Sequence, residues 1–190
     1  MEKNKIEPFK PGEKWKIIFL DVDGVICLGK DGYSGFNTEA LENLRKIIEK
    51  TNARIVISSS WRCGDLEKTK EQFPQWLREF IIDETIRYYN YVKSPLRVFR
   101  GNEIETWIHD HLDYPWKAWE ELDELYQTLK PDGSFKKMNS NRVGQDYTYV
   151  ILDDDNDMLY FQKDWFVNTS TMEGLDKQKT EECIQILNRI

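Results

Sequence analysis

Residues 16–24, which read KIIFLDVDG, decide the fold of this 190-residue chain. The apolar run over residues 17–20 is continuous, which is typical of a strand buried on both faces of a parallel sheet. Two acids, Asp21 and Asp23, follow that run directly, and Gly24 allows a sharp turn after them. The stretch therefore predicts a buried strand that ends in two carboxylates.

Helical and strand patterns alternate on either side of this motif. A helix capped by Asn37 or Thr38 and ended by Asn52 precedes a second buried strand over residues 54–58. Further strands are predicted over residues 81–82, 147–152 and 165–167, and further helices after residue 62, over 101–112, over 116–129 and at the end of the chain. Since strand–helix–strand units place parallel strands side by side, the pattern predicts a three-layer α/β sandwich with a mostly parallel, Rossmann-like sheet.

The length fits one domain, which we expect over residues 13–190, with residues 1–12 as an N-terminal extension. Residues 111–146 are predicted to form a small helical insertion within that domain. Its Trp116 and Trp119 fit a packed helix better than a lid over a substrate.

Composition and charge exclude several classes of protein. The formal charge of −7 gives no general attraction to a polynucleotide, although a local basic patch stays possible. Three scattered cysteines argue against a disulfide framework or a zinc site and favour a reducing compartment. No apolar run approaches the ~18 residues of a membrane span, and the first ten residues lack a signal-like apolar stretch. We therefore expect a cytoplasmic protein that does not enter a membrane.

A second run of acids, over residues 153–157, follows the strand at 147–152. The carboxyl ends of parallel strands line the functional crevice of an open α/β sheet. If the two acid-bearing strands are neighbours, at least three carboxylates crowd one point, and a cation must offset their repulsion. Because oxygen ligands with room for water suit Mg²⁺, the sequence predicts a magnesium site there. Either run taken alone could equally be a solvated loop.

The motifs resemble those of the haloacid dehalogenase (HAD) superfamily. Residues 19–25 (FLDVDGV) resemble its first motif, residues 55–58 (IVIS) its second and residues 150–154 (VILDD) its fourth, in the family's order. The resemblance spans about residues 16–158. More narrowly, the chain resembles the HAD phosphatase-like domains attached to Swiss Army Knife RNA-repair proteins through residues 58–62, 100–104, 107 and 174–175.

The resemblance implies a phosphatase or phosphotransferase, a Mg²⁺-dependent phosphoric monoester hydrolase that acts through an aspartyl phosphate. Asp21 would be the nucleophile and Asp23 the general acid and base. The hydroxyl of Ser58 would donate a hydrogen bond to a phosphate oxygen. If the motif is aligned one residue later, Ser59 has this role instead. The phosphorylated substrate could be a small molecule, such as a nucleotide, or a nucleic-acid end, and the oligomeric state is left open.

The third motif departs from the family, which usually places a lysine before the fourth-motif strand. Arg100 is the best positional match, and Lys93 and Arg97 are its competitors. Arginine can bind phosphate through two parallel hydrogen bonds, so the replacement is chemically reasonable.

The resemblance also implies the metal ligands. Asp21 and the backbone carbonyl of Asp23 would bind Mg²⁺ together with Asp153 or Asp154. The register of these last two is open, and Asp157 would act through water or on the geometry of the loop. We expect Asp155 to face solvent.

Two other classes of function compete with the enzyme. A catalytically silent HAD fold could serve as a binding module, which the uncertain third-motif cation favours. A receiver-like domain, phosphorylated by a partner, would share the acids and the magnesium. The spacing of Asp21 and Asp23 favours the hydrolase, because a receiver has no need of the second acid.

Overall fold

The computed structural model describes residues 14–87, 98–113 and 146–189. The predicted extension over residues 1–12, the candidate cations Lys93 and Arg97, and residues 114–145 of the predicted insertion lie outside the described residues.

Strands and helices alternate through the described part of the chain, and most of the predicted elements are present. Their order is β1 (Trp15–Leu20), α1 (Thr38–Thr51), β2 (Arg54–Ile57), α2 (Leu66–Glu71), α3 (Gln75–Arg78), β3 (Ile81–Glu84), α4 (Arg100–Ile108), β4 (Tyr147–Asp153), β5 (Phe166–Asn168) and α5 (Lys177–Leu187). Short 3₁₀-helices occur at Gly29–Asp31 and Tyr160–Trp165, and a π-helical turn, His109–Asp113, extends α4.

The described strands form one five-stranded sheet in the order β3-β2-β1-β4-β5. All four pairings between them are parallel, so the sheet is more uniform than the mostly parallel one that we expected. In the centre, Leu20 of β1 pairs with Ile57 of β2 and with Leu152 of β4. The two acid-bearing strands are therefore neighbours, as the predicted metal site requires.

Hydrophobic clusters cover both faces of the sheet. Ile18 and Leu20 of β1 belong to the cluster that includes buried residues of α1 and α5. Ile17 and Phe19 belong to the opposite cluster, and the ring of Phe19 lies edge-on to that of Trp107 of α4, at 5.5 Å. These two clusters confirm the three-layer sandwich and explain why the apolar run of β1 does not alternate with polar residues.

Local signals set the helix boundaries. The side chain of Asn37 accepts a hydrogen bond from the backbone N–H of Ala40 and caps α1, and Asn52 ends that helix in the left-handed region at φ 58°. Pro74 divides the helical stretch after residue 62 into α2 and α3. Among the residues that the structure describes, no helix combines the length and the apolar character of a membrane span.

Candidate active site

The backbone brings the ends of β1, β2 and β4 together. The N–H of Asp21 donates to the carbonyl of Leu152 at 2.9 Å, and the N–H of Ser58 donates to the carbonyl of Leu20 at 3.0 Å. The sheet pairing thus continues one residue beyond β1 and β2. The side chains that follow β1, β2 and β4 consequently share one edge of the sheet.

A cluster of three carboxylates lies at this edge. Asp21, Asp153 and Asp154 each offer an oxygen, and these oxygens lie within 4.8 Å of one another. Burial, and next the charge of Asp21, raises the pKa of Asp153 to about 8. Burial also raises the pKa of Asp21, against the opposing effects of Arg100 and Ser59. Even beside Arg100, therefore, this cluster resists full ionisation when no metal ion is bound.

These residues fit a magnesium ion. One oxygen of Asp153, Oδ1, accepts a hydrogen bond from the backbone N–H of Asp155 at 2.9 Å. The other, Oδ2, is buried and has no hydrogen-bond partner among the described residues. A buried, unsatisfied carboxylate oxygen is costly unless something binds it, and an all-oxygen donor set is what Mg²⁺ prefers.

Neighbouring residues fix the position of Asp154. The hydroxyl of Thr171 donates to Asp154 Oδ2 at 2.8 Å, and the side-chain amide of Asn168 donates to the Asp154 carbonyl at 3.2 Å. A Cβ atom on Gly24 would lie 2.1 Å from Asp154 Oδ2, and Gly24 has a φ of +73°. Glycine is thus the residue that lets the turn after β1 pass this carboxylate.

Arg100 begins α4 and lies against the carboxylate cluster. Its Nη1 donates to Asp21 Oδ1 at 3.3 Å and lies 3.9 Å from Asp153 Oδ2. Its backbone N–H donates to Asp157 Oδ2 at 3.2 Å, and the N–H of Gly101 donates to the Asp157 carbonyl at 3.3 Å. Asp157 therefore holds the start of α4 beside the acids.

The two candidate serines have different surroundings. Ser58 is fully buried, and its hydroxyl has no hydrogen-bond partner in the described part of the chain. Ser59 is also buried, and its hydroxyl donates to Asp21, while the backbone N–H of Trp61 donates to Ser59 Oγ at 3.3 Å. Of the two hydroxyls, that of Ser58 is therefore the one without a partner among the described residues.

Asp23 does not belong to the cluster of three carboxylates among the described residues. Its side chain is half-buried, and Oδ2 accepts a hydrogen bond from the indole Nε1–H of Trp61 at 3.0 Å. The two acids of the first motif therefore have different partners. Asp21 joins the cluster beside Arg100, and Asp23 faces the loop after β2.

A buried ion pair connects that loop to α4. Arg62 Nη2 lies 2.8 Å from Glu103 Oε2, and both side chains are less than a tenth exposed. The same guanidinium donates to the carbonyls of Ser59, Thr85 and Ile86. Arg62 thus connects the loop after β2, which contains Ser58 and Ser59, to the helix that carries Arg100.

Gln162 makes a second connection to α4. This side chain is fully buried, in the 3₁₀ turn that precedes β5. Its oxygen accepts from the backbone N–H of Leu159 at 2.9 Å, and its nitrogen donates to the carbonyl of Gly101 at 3.0 Å. The segment after β4 is therefore joined directly to the first turn of α4.

Sequence reasoning assigned no role to several of these residues. The short stretches that carry the narrower resemblance include Trp61, Arg62 and Glu103. The resemblance therefore drew attention to these residues but gave them no role. Thr171 and Gln162 lie in segments without a recognised motif, and only the folded chain reveals their contacts.

Residues 17–139 match the profile of a family described as the HAD domain in Swiss Army Knife RNA repair proteins. The matched range includes Asp21, Asp23, Ser58 and Arg100, whereas the acids that end β4 lie beyond it. No curated protein matches the chain, and no solved structure matches it either.

Proposed function

Because this chain belongs to the family of HAD domains in Swiss Army Knife RNA repair proteins, we propose that it is a Mg²⁺-dependent phosphatase that hydrolyses phosphate monoesters through an aspartyl phosphate. The observation that carries this proposal is the position of Asp21, which contacts the Arg100 guanidinium and belongs to the carboxylate cluster with Asp153 and Asp154. A nucleophile that contacts a cation within a metal-binding cluster suits attack on a phosphate dianion.

Asp21 performs the first covalent step. One of its carboxylate oxygens forms a bond to phosphorus while the bond between phosphorus and the ester oxygen breaks. Arg100 binds the equatorial phosphate oxygens as charge develops on them, a role that is supported by the 3.3 Å between its Nη1 and Asp21 Oδ1. The buried hydroxyl of Ser58 supplies a further donor from the next strand.

Asp21, Asp153 and Asp154 are the residues that would hold the magnesium ion. When bound, Mg²⁺ supplies positive charge that offsets the repulsion between the attacking carboxylate and the phosphate. Thr171 and Asn168 would act on this site indirectly, because each donates a hydrogen bond to Asp154.

Asp23 acts as the general acid in the first step and as the general base in the second. In the first step it donates a proton to the leaving ester oxygen, so that an alcohol departs and Asp23 becomes a carboxylate. In the second step it removes a proton from the water that attacks the phosphoaspartate. The bond between phosphorus and Asp21 then breaks, and inorganic phosphate and a free Asp21 carboxylate are produced.

The family's name supplies the substrate class to test first. These domains are described as parts of RNA repair proteins, so we propose a phosphorylated nucleic-acid end as the substrate, with small phosphate monoesters as the alternative. The chain's formal charge of −7 means that any affinity for such an end would come from local groups such as Arg100.

The test is release of inorganic phosphate from p-nitrophenyl phosphate and from phosphorylated oligonucleotides in the presence of Mg²⁺. We expect turnover by the wild type, and a loss of at least about 10³-fold in Asp21→Asn. Asp164→Asn is the matched control, because Asp164 is exposed and lies in the 3₁₀ turn before β5.

Two outcomes would overturn the proposal in different ways. A folded protein that releases no phosphate from any ester of a broad panel would be a silent binding module. A protein that accumulates phosphoaspartate from a small phosphodonor but does not turn it over would be a receiver-like domain.

A further inference from the structure

Trp61 contacts Asp23 through its only polar side-chain atom. The indole Nε1 lies 3.0 Å from Asp23 Oδ2, and both side chains are half-buried. An indole N–H donates a hydrogen bond and cannot accept one. The carboxylate oxygen that faces Trp61 is therefore held as an acceptor. The Cys27 side chain also forms a hydrogen bond with this carboxyl, so Trp61 is one of two side chains that contact it.

The indole is itself fixed by its surroundings. Its ring packs against Phe36 at a centroid distance of 5.6 Å and against Phe73 at 6.3 Å, and these two rings stack on each other at 5.7 Å. Its backbone N–H donates to Ser59 Oγ at 3.3 Å. Since aromatic packing holds the ring and a hydrogen bond holds the backbone, the N–H is directed at Asp23 with little freedom to turn away.

The loop after β2 thus reaches both acids of the first motif. The hydroxyl of Ser59 donates to Asp21, and two residues later the indole of Trp61 donates to Asp23. One short segment can therefore set the orientation of the nucleophile and of the second acid together.

We infer that Trp61 is a positioning residue for the general acid, an inference that rests on the proposed phosphatase activity. Trp61 holds Oδ2 of Asp23 against the indole, and the proton travels on Oδ1. As the bond from phosphorus to Asp21 forms and the ester bond breaks, the Oδ1 proton passes to the leaving oxygen. The indole keeps its own proton throughout and stabilises the Asp23 carboxylate that results.

The test uses leaving groups that differ in their need for a proton. A dinitrophenolate departs without protonation, whereas an alkoxide needs the proton in the transition state. In Trp61→Phe we expect kcat/KM for an alkyl phosphate, which reports the phosphorylation step and not the hydrolysis of the phosphoaspartate, to fall about 10- to 100-fold. This is less than the ~10²–10⁴-fold that general acid catalysis contributes, because Asp23 itself is still present. For 2,4-dinitrophenyl phosphate we expect a change of less than about threefold.

Trp165→Phe is the matched control. Trp165 stacks on Tyr149 at 5.5 Å, so this variant also replaces a packed indole, but one that has no contact with Asp23 among its described interactions. We expect its effect on the two substrates to be equal. If Trp61→Phe slows both substrates equally, or slows neither, then Trp61 has only a packing role and the inference is overturned.

A second variant covers the case in which Trp61→Phe does not fold. Benzothienylalanine at position 61 keeps the bicyclic ring and replaces the N–H by sulfur, so it removes the donor alone. The same selective loss with the alkyl phosphate is expected, and an unchanged ratio between the two substrates would reject the role of the N–H.

Asp23→Asn separates failure of this inference from failure of the proposed function. If Asp23→Asn is selective for the alkyl phosphate while the Trp61 variants are not, the phosphatase mechanism holds and the inference about Trp61 is wrong. If neither residue gives selectivity, the general acid of the proposed mechanism is itself wrong. When both are right, Trp61→Phe adds little to the loss in Asp23→Asn, because the two residues act as one unit.

Discussion

Gly24 leaves room for the Asp154 carboxylate of the candidate metal site because it has no Cβ atom. A Cβ atom there would lie 2.1 Å from Asp154 Oδ2. We expect Gly24→Ala to displace that carboxylate and to weaken Mg²⁺ binding about 10- to 100-fold, as the loss of a group supporting a metal ligand does. Isothermal titration calorimetry with Mg²⁺ measures this directly.

Gly32→Ala is the control for the backbone conformation. Gly32 has a φ of +62°, close to that of Gly24, but a Cβ there would meet no atom within 4 Å. This variant has a similar backbone cost and no contact with Asp154, so its affinity for Mg²⁺ should equal that of the wild type. Equal weakening in both variants would contradict the steric explanation.

Asp153 makes stability depend on pH. Its pKa is 3.8 ordinarily and about 8 in the folded protein, chiefly because it is buried and next because Asp21 is close. Between these values the metal-free folded state binds a proton that the unfolded chain has lost. The stabilisation is complete below about pH 4 and is lost as the pH rises through about 8, so the free energy of unfolding falls over that window.

Urea unfolding in EDTA at several pH values tests this dependence. We expect the decline to shrink in Asp153→Asn, which has no proton to lose, and to shrink in the wild type when Mg²⁺ is saturating. The exposed Asp164→Asn should keep the wild-type slope. A free energy of unfolding that rises with pH in EDTA would contradict the assignment.

Candidate site residues were predictable where residue type and position relative to a strand coincide. Asp21, Asp153 and Asp154 follow buried strands, and Arg100 begins a helix, so the sequence pointed to them before any contact was known. Their roles in catalysis remain predictions. The contact between Trp61 and Asp23 joins loops 38 residues apart, and no periodicity encodes such a pairing.

At the scale of elements, the ion pair of Arg62 and Glu103 joins the loop after β2 to α4. Both groups are buried, so neutralising one leaves the other as an uncompensated charge away from water. We expect Glu103→Gln to reduce the free energy of unfolding by about 3–5 kcal/mol, as measured by urea denaturation. Activity should fall too, since α4 positions Arg100.

An exposed ion pair provides the comparison. Lys46 and Glu181 join α1 to α5 at the surface, with side chains 40% and 49% exposed. Glu181→Gln removes the same charge type from a solvated pair, and we expect little change in stability. If the two variants destabilised the protein equally, burial would not explain the effect of Glu103.

Strand β3 shows why element boundaries were harder to predict than element positions. The sequence predicted only residues 81–82, whereas the strand runs over Ile81–Glu84 and includes two acids. Asp83 Oδ2 accepts from the indole of Trp107 at 2.7 Å, and Glu84 Oε2 accepts from the hydroxyl of Thr69 at 2.5 Å. These tertiary partners make the acids acceptable in a strand, and local sequence gives no sign of them.

For the whole molecule, the position of each strand in the sheet predicts how well its backbone amides are protected from hydrogen exchange. β1 pairs on both sides and its residues 17–20 are fully buried, whereas β3 and β5 each pair on one side within the described sheet. We expect β1 amides to exchange with deuterium only through global unfolding and β5 amides to exchange faster through local opening. Hydrogen-exchange mass spectrometry tests this ranking, and β5 protection equal to that of β1 would contradict it.

The overall fold was the most predictable level, because continuous apolar runs mark buried parallel strands and their order along the chain leaves few topologies. The contacts that connect separate segments around the sheet edge could not be predicted at this scale. Those contacts depend on single buried polar groups such as Gln162.

The side-chain amide of Gln162 connects two segments through hydrogen bonds of opposite direction. Its oxygen accepts a hydrogen bond from the Leu159 backbone N–H and its nitrogen donates one to the Gly101 carbonyl, so its two ends are not interchangeable. A glutamate of the same length would set oxygen against oxygen at Gly101, and an asparagine would be one methylene too short to span both. The spacing between the segment that follows the β4 acids and the first turn of α4, which carries Arg100, consequently depends on the identity of one nitrogen atom.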